Sequence, residues 1–354
     1  MMELKLHRES RGQGCGITSN GEHQMKAAYV KEPGPASSII YGDLDKPTPK
    51  SGEVLVRVNV AAINPIDTYV RAGGVKMPIP LPYIIGSDFA GVVESVGPDV
   101  FRFHPGDRVW GSNQGLLGRQ GISAEYAAVD ARYLYPTHPM VVDETAAALA
   151  LVGITAHLGL FRDADLKQGE TVFVNGGTGG VGSTVVQMAK AIGARVIATV
   201  GSAENAEVAK KLGVDVVINY KTDNIAEEVK KAAPNGVDVW WETIRDPNLE
   251  LSIPLLAKRG RLVLIAGRDA KPVLPLGAFY TKDCKIIGFA MFNASPDEQH
   301  RCAEDISRWA AEGKLRAHIS RVMPLSEAAA AHQLQEDNTI HKQGSLTGKI
   351  LLKP

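Results

Sequence analysis

Gly177-Thr-Gly-Gly-Val-Gly182 stands between the apolar run Thr171-Val-Phe-Val174 and a stretch in which Val181, Val185, Met188, Ala189 and Ile192 recur at helical spacing. The order reads strand, glycine turn, helix, and a second strand, Arg195 to Val200, follows at once. The spacing matches G-x-G-x-x-G, in which glycines permit a tight turn and let the backbone approach a pyrophosphate held on helix N-terminal amides. Alone, the motif is a weak signal, because a glycine-rich surface turn has the same letters. The flanking strands and helix supply the βαβ unit that the mechanism requires. A dinucleotide site is therefore expected here, with Thr178, Gly179, Gly180 and Val181 meeting the pyrophosphate through their amides.

Downstream, the alternation continues through Val216-Val-Ile218, Val237-Asp-Val-Trp-Trp241, Arg261-Leu-Val-Leu-Ile265 and Lys285-Ile-Ile-Gly-Phe289. Such alternation predicts a parallel sheet covered on both faces, and it accounts for Trp240 and Trp241 as packing. Upstream, short strands are punctuated by Gly and Pro: Lys26 to Val30, Glu53 to Val60, Gly91 to Val96 and Gly106 to Trp110. A helix is expected from Glu144 to Phe161, and Gly348-Lys-Ile-Leu-Leu352 reads as a strand that returns to the first domain. The reading is an α/β protein: a flexible extension over 1–24, a β-rich domain over 25–150 completed by 297–354, and a doubly wound parallel-sheet domain over 151–296.

Composition narrows the function classes. The 354 residues are 44% hydrophobic and 22% charged, an ordinary globular balance. With 39 basic and 39 acidic residues the formal charge is zero, which gives no global attraction to nucleic acid or to an anionic membrane. No run of 18 apolar residues spans a bilayer, and the polar first residues do not resemble a secretory signal. Three scattered cysteines, Cys15, Cys284 and Cys302, suggest neither a disulfide framework nor a zinc knuckle, and a reducing cytoplasm is the expected location. The histidines form no metal-ligand spacing, and Ser87 lies in Gly-Ser-Asp, not in a nucleophile elbow.

Asn64-Pro-Ile-Asp67, Gly86-Ser-Asp88, Gly106-Asp-Arg-Val109, Gly153-Ile-Thr-Ala156, the glycine turn and Gly348-Lys349 follow one another in an order and spacing that resemble the medium-chain dehydrogenase/reductase superfamily. Within it, the chain looks like the zinc-free quinone oxidoreductase (zeta-crystallin-like) branch, from about Met25 to Pro354. The resemblance implies a GroES-like β domain on the substrate side, a Rossmann domain for a nicotinamide dinucleotide and a cleft between them.

Metal-dependent members of the superfamily have a Cys where this chain has Asn64, and Gly-His-Glu where it has Gly86-Ser87-Asp88. Both changes remove good ligands, and Ser112 to Ala124 holds no cysteine for a structural zinc, so a metal-free protein is expected. Hydrogen-bond donors must then polarise the acceptor, and by resemblance Asn64 and Tyr69 are the candidates to orient a quinone oxygen or the cofactor carboxamide. Asn64 before Pro65 is also explained as a turn residue, Tyr69 as packing, and Asp67 as a capping carboxylate. The family pattern has a second tyrosine after Arg-x-Gly; this chain has Arg71-Ala-Gly-Gly-Val75, which opens the pocket to other acceptors.

NADPH is favoured over NADH because the second strand ends Thr199-Val-Gly201-Ser202 without a carboxylate, and Tyr220 matches a tyrosine that helps hold the 2′-phosphate in relatives. Asn205 replaces a frequent lysine, and Glu204 lies alongside. By resemblance, Thr155 sits near the nicotinamide at a helix start, Asn248 and Ile265-Ala266-Gly267-Arg268 line the adenosine and central cofactor region, and Phe289, Ala290 and Met291 meet the carboxamide through their backbone. The implied activity is NADPH-dependent reduction of a quinone. Reduction of an activated carbon-carbon double bond in an enone or acrylate, which related zinc-free enzymes perform, is the alternative, and a non-enzymatic crystallin-like or RNA-binding role is disfavoured by the neutral charge. Relatives pair their Rossmann sheets around Cys284 to Phe289, so a homodimer or homotetramer is expected.

Overall fold

The structure is a computed structural model and describes residues 23–341, 343 and 346–354. The expected N-terminal extension thus lies almost wholly outside the described residues. The first part of the chain supplies β1 (Gln24–Val30), β2 (Ile40–Asp45), β3 (Glu53–Ile63), β4 (Tyr83–Ile84), β5 (Asp88–Val96), β6 (Arg108–Gly111), β7 (Tyr126–Asp130) and β8 (Leu134–Pro136). The second part supplies β9 (Thr171–Asn175), β10 (Arg195–Val200), β11 (Val216–Asn219), β12 (Val237–Glu242), β13 (Leu256–Leu264) and β14 (Lys285–Gly288). The chain closes with β15 (Ile319–Pro324) and β16 (Lys349–Lys353).

Strands β9 to β14 form a parallel sheet in the order β11-β10-β9-β12-β13-β14. The order reverses between β9 and β12, and such a switch point opens the crevice where open α/β sheets bind ligands. Trp240 and Trp241 point to opposite faces, as period two requires. Trp240 stacks on Phe173 at 3.8 Å between ring centroids, while Trp241 lies edge-on to Phe289. A Cβ on Gly159 would stand 2.4 Å from the Trp241 ring, so only glycine admits that indole.

The other large sheet has the order β15-β16-β3-β5-β6-β8, with β7 also paired to β3. In β3, Arg57 is exposed between the buried Val56 and Val58, the alternation of a half-covered antiparallel strand. β16 pairs antiparallel with β3, so the last strand does return to the first sheet. A small sheet, β2-β1-β4, flanks it.

Helix α1 (Pro65–Arg71) follows β3 directly, and α2 (Asp143–His157) joins the two halves. α2 runs on as a π-helical turn, Leu158–Asp163. This corrects the expectation that no segment suits a bilayer: Asp143–Asp163 is long and apolar enough, but 78% of its apolar window is buried in protein. Being apolar all round, it belongs inside a core. One apolar cluster runs from Val60, Ala90 and Trp110 through α2 to Val172, Val185 and Trp241, so the two sheets share a core. The boundary expected at 150/151 falls inside this helix. Gly153 lies mid-helix because a Cβ there would meet Ile306 Cδ1 at 2.9 Å, on the helix Pro296–Ala311.

Candidate functional site

At the switch point, β9 leads into the glycine turn and then α3 (Gly180–Ala191). Gly176 has φ +85°, a left-handed conformation that suits glycine. A Cβ on Gly182 would lie 2.0 Å from the Gly176 carbonyl oxygen, and one on Gly177 2.6 Å from Ala198 Cβ. Gly179 and Gly180 meet nothing closer than 3.5 Å, so they leave open space above the turn. No side chain caps α3, whose first amides therefore face that space. These features fit a dinucleotide pyrophosphate on Thr178, Gly179, Gly180 and Val181.

Beneath the turn lies a polar network that sequence reasoning missed. The Asn175 amide donates to both carboxylate oxygens of Glu242, at 2.9 and 3.0 Å, and accepts from the Thr199 hydroxyl at 2.7 Å. Thr199 Oγ1 in turn accepts from the Gly176 amide at 2.8 Å. Glu242 also accepts from Trp240 Nε1 and the Ile244 amide. Its carboxyl is pushed up by burial, opposed by those donors. The network ties the ends of β9, β10 and β12 together and holds the turn rigid.

The remaining cofactor candidates follow the sheet order along its carboxyl edge. Tyr220, after β11, covers Gly201, after β10; a Cβ on Gly201 would stand 2.5 Å from the tyrosine oxygen. Ser202 caps α4 (Ala203–Lys211) by accepting from the Asn205 amide at 3.2 Å. Asn248 caps the helix Leu249–Leu255, its Oδ1 accepting from the Leu251 amide at 3.0 Å. Ile265, Ala266, Gly267 and Arg268 follow β13, and Phe289 and Ala290 follow β14. Met291 is buried in the shared core and Phe289 packs beside it, which leaves the backbone as their contribution. Thr155 is a correction: it lies in the last turn of α2, not at a helix start, and is 7% exposed. Plain N-capping therefore does not explain it.

Across the crevice, Asn64 precedes α1 and is fully buried. Its Nδ2 donates to Asp88 Oδ2 at 2.7 Å and reaches Ser87 Oγ at 3.3 Å, while its Oδ1 accepts from Lys349 Nζ. Asp88 also accepts from Ser112 Oγ at 2.6 Å and the Leu151 amide at 3.0 Å, and lies 3.8 Å from the Lys349 ammonium. Asp67 accepts from the Asn64 backbone amide at 2.8 Å. Asn64 is thus committed inside the protein, and this revises its expected part: it shapes the floor of the site and presents no free amide to an acceptor. Gly348, φ +104°, packs against His318 and places Lys349 in this knot.

Two carboxylates and one ammonium share the knot. Burial and the Asp88 charge push the Asp67 carboxyl up to about 7. Burial raises Asp88 too, against the pull of Lys349, and lowers the Lys349 ammonium, against the pull of both acids. Zinc would need its ligands here, yet Asn64 and Ser87 are poor ones and a lysine cation already neutralises Asp88. This donor set does not fit a catalytic zinc. Among the described residues no group of three or more His, Cys, Asp or Glu gathers to hold a metal.

Tyr69 is half-buried on α1 and faces the parallel-sheet domain. Arg245, after β12, donates to the Tyr69 hydroxyl and lies over its ring, 5.0 Å from the centroid. Arg268 donates to the Gly74 carbonyl in the turn that follows α1. Arg245 had no sequence motif to reveal it, since only the fold sets it against Tyr69.

Comparison with known proteins identifies the family. The family model for the alcohol dehydrogenase GroES-like domain matches residues 50–139, and that described as zinc-binding dehydrogenase matches residues 180–311. A quinone oxidoreductase from Sus scrofa is 33% identical over 94% of this chain and 99% of its own length. A 2-haloacrylate reductase from a Burkholderia species is 30% identical over 87% of this chain and 95% of its own. The solved Escherichia coli quinone oxidoreductase complexed with NADPH superposes with a TM-score of 0.80 at 26% identity, over 94% of this chain and 99% of that one. The chain belongs to the medium-chain dehydrogenase/reductase superfamily, among the quinone oxidoreductases.

Proposed function

We propose that this protein is an NADPH-dependent, zinc-independent quinone oxidoreductase. The observation that carries the reading is the pairing across one crevice of an open glycine turn at the switch point with a closed, lysine-neutralised knot where a metal would otherwise sit. NADPH, when bound, supplies a hydride. The amides of residues 178–181 would hold its pyrophosphate, Gly201, Ser202 and Tyr220 its adenosine phosphate, and the backbone at Ala290 and Met291 its carboxamide. Thr155 would lie near the nicotinamide, with Asn248 and residues 265–268 along the middle of the cofactor.

On the acceptor side, Tyr69 accepts from Arg245 and so keeps its own hydroxyl proton free to donate to a quinone oxygen. Reduction of a quinone takes up one hydride and one proton, and the knot beneath α1 holds the tyrosine in place for that donation. Anaerobic oxidation of NADPH with a panel of quinones, with electron paramagnetic resonance to detect a one-electron product, tests this reading. No NADPH oxidation with any quinone would sink it, and stoichiometric zinc in the active protein would sink its metal-free part.

Reduction of an activated carbon-carbon double bond is the second reading. It is favoured by the aromatic-free turn Arg71-Ala-Gly-Gly-Val75 and by the likeness to a 2-haloacrylate reductase. Enones in the same panel separate the two. The exposed edge strand β14 is the proposed place of self-association into a homodimer or homotetramer, which light scattering would check. A cytoplasmic location accords with the free, buried Cys284 and Cys302.

A further inference from the structure

Arg71 is a fully buried cation with no part in the site described above. It ends α1, two residues after Tyr69. Its guanidinium donates to Glu336 on the C-terminal helix Ala328–Thr339, and among the described residues no other acceptor meets it: Nε and Nη1 are buried without a partner. His332, one turn before Glu336, is fully buried as well, and neither of its ring nitrogens has a partner among the described residues. Burial and the Arg71 charge hold the imidazole down to about 3, so it stays neutral and adds no second cation. Burial also lowers the Arg71 guanidinium, against the pull of Glu336. One carboxylate thus compensates a charge taken wholly out of water, and the pair is stable only in contact.

α1 has seven residues, well short of the roughly 12 that an isolated helix needs, so its place is set by what grips its ends. At the first end Lys349 of β16 donates to Asn64, the residue before the helix. At the last end Glu336 holds the Arg71 side chain, while the Gly34 amide donates to the Arg71 carbonyl at 3.0 Å. Beyond lies Gly73, φ +74°, then Gly74, a turn without side chains to stiffen it. Both side-chain grips come from residues 328–353, and Tyr69 stands between them.

We propose that Arg71 and Glu336 are positioning residues for the acceptor: their buried ion pair fixes the last turn of α1 and with it the direction of the Tyr69 hydroxyl. The inference rests on the part given to Tyr69 above and names what keeps that residue aimed. Neither charge touches the acceptor. A hydroxyl that accepts from Arg245 while donating to an acceptor oxygen tolerates little sway, since a displacement of about 1 Å costs up to about 100-fold in rate. An apolar pair of similar volume would hold the two helices together as firmly. What the charges add is one register between them, because a buried guanidinium that slips from its carboxylate is left without compensation.

The test follows menadione reduction by the full-length protein with NADPH. In E336Q, kcat should fall about 10-fold. The Kd for NADPH, read by fluorescence titration, should stay within about twofold, because the cofactor residues lie across the crevice. In a Y69F background E336Q should change kcat by less than about twofold, since the group it directs is gone. R71M/E336L removes both charges and leaves none unpaired, so it should resist denaturant as well as the wild type and still show the low kcat. A fluorine resonance from fluorotyrosine at position 69 reads the side chain without turnover and should shift in E336Q and in R71M/E336L. An equal loss of kcat with and without Tyr69, full turnover in R71M/E336L, or an unmoved resonance overturns the proposal. If the resonance shifts but Y69F keeps full kcat, or menadione is not reduced at all, the positioning stands and the part given to Tyr69 in quinone reduction falls.

Discussion

The glycine turn and the buried knot face each other across one crevice, and they are built on opposite principles. The turn is local: β9, residues 176–182 and α3 are continuous in sequence, and its shape comes from backbone conformations that only glycine tolerates. The knot is assembled from afar, with Asn64 and Lys349 separated by 285 positions. Its shape comes from side-chain charges that are stable only as a set. A site that must admit a ligand's phosphate uses the backbone, whose amides carry no desolvated charge. A site that must hold a neighbouring helix in register uses buried charges, which fail together when one is removed.

Substituting Gly182 by alanine should break the first half of the comparison most severely. Its Cβ would overlap the Gly176 carbonyl at 2.0 Å, so G182A is expected to cost ~3–5 kcal/mol and to abolish NADPH binding. G179A, whose nearest neighbour is at 3.5 Å, should keep its melting temperature while losing NADPH affinity. Equal thermal stability of the two variants would show that the turn is not held as described.

K349M attacks the knot and leaves Asp88 without its cation. It should cost ~3–4 kcal/mol in denaturant unfolding, with D88N/K349M recovering part of the loss. Strict additivity of the two substitutions would mean that the pair is not coupled.

A subtler probe is pH. The Asp67 carboxyl sits at about 7 in the fold against 3.8 for its ordinary value, so the folded state holds a proton that the unfolded state has released. Its stabilising effect is full below about pH 4 and is lost as pH rises through about 7. Wild-type protein should therefore lose stability relative to D67N across that window, by at most about 1.4 kcal/mol per pH unit. Buried His332, lowered from 6.5 to about 3 by desolvation and by Arg71, pulls the other way over most of the window, until pH passes 6.5. The comparison with D67N cancels it. A flat difference between the two proteins would remove Asp67 from the knot's proton balance.

The smallest expected effect sharpens the cofactor half. Asn205 stands beside the Ser202 cap and next to exposed Glu204. N205K should raise the NADPH over NADH ratio of kcat/KM by roughly twofold to fivefold, the worth of one exposed ion pair. No change would place the 2′-phosphate away from this turn.

Much of the fold was legible because hydrophobic period and glycine placement are local signals. Strand Arg195–Val200 matches its expected bounds, and the remaining parallel strands overlap theirs, although β13 starts at Leu256, well before the expected Arg261. The helix at α2 was legible as a helix, but its role as a shared core element was not, because all-round apolarity does not say what surrounds it. Thr155 was placed at a helix start by resemblance, although the expected helix Glu144 to Phe161 runs through it; the structure sets it in the last turn of α2, and Ile306 packed against Gly153 shows why glycine belongs mid-helix.

In the candidate site, the residues with a backbone reason could be read directly. The glycines, the missing ligands at Asn64 and Ser87, and Tyr220 over Gly201 all left marks in the letters. Glu242 and Arg245 did not, and Lys349 was visible as part of a motif but not as the partner of Asn64 and Asp88, since a charged residue at a strand end looks like any solvated charge until its partners are known.

The sequence by itself thus determined the strand, glycine turn and helix that fit a dinucleotide, and that poor zinc ligands stand at Asn64 and Ser87, because each depends on residues whose meaning is set by near neighbours. Only the tertiary structure decided that Asn64 serves the floor of the site and not the acceptor, that Lys349 neutralises it, and that two arginines cross to Tyr69 and Gly74. Those outcomes depend on which distant charges are brought out of water together, and that is settled by packing and not by spacing.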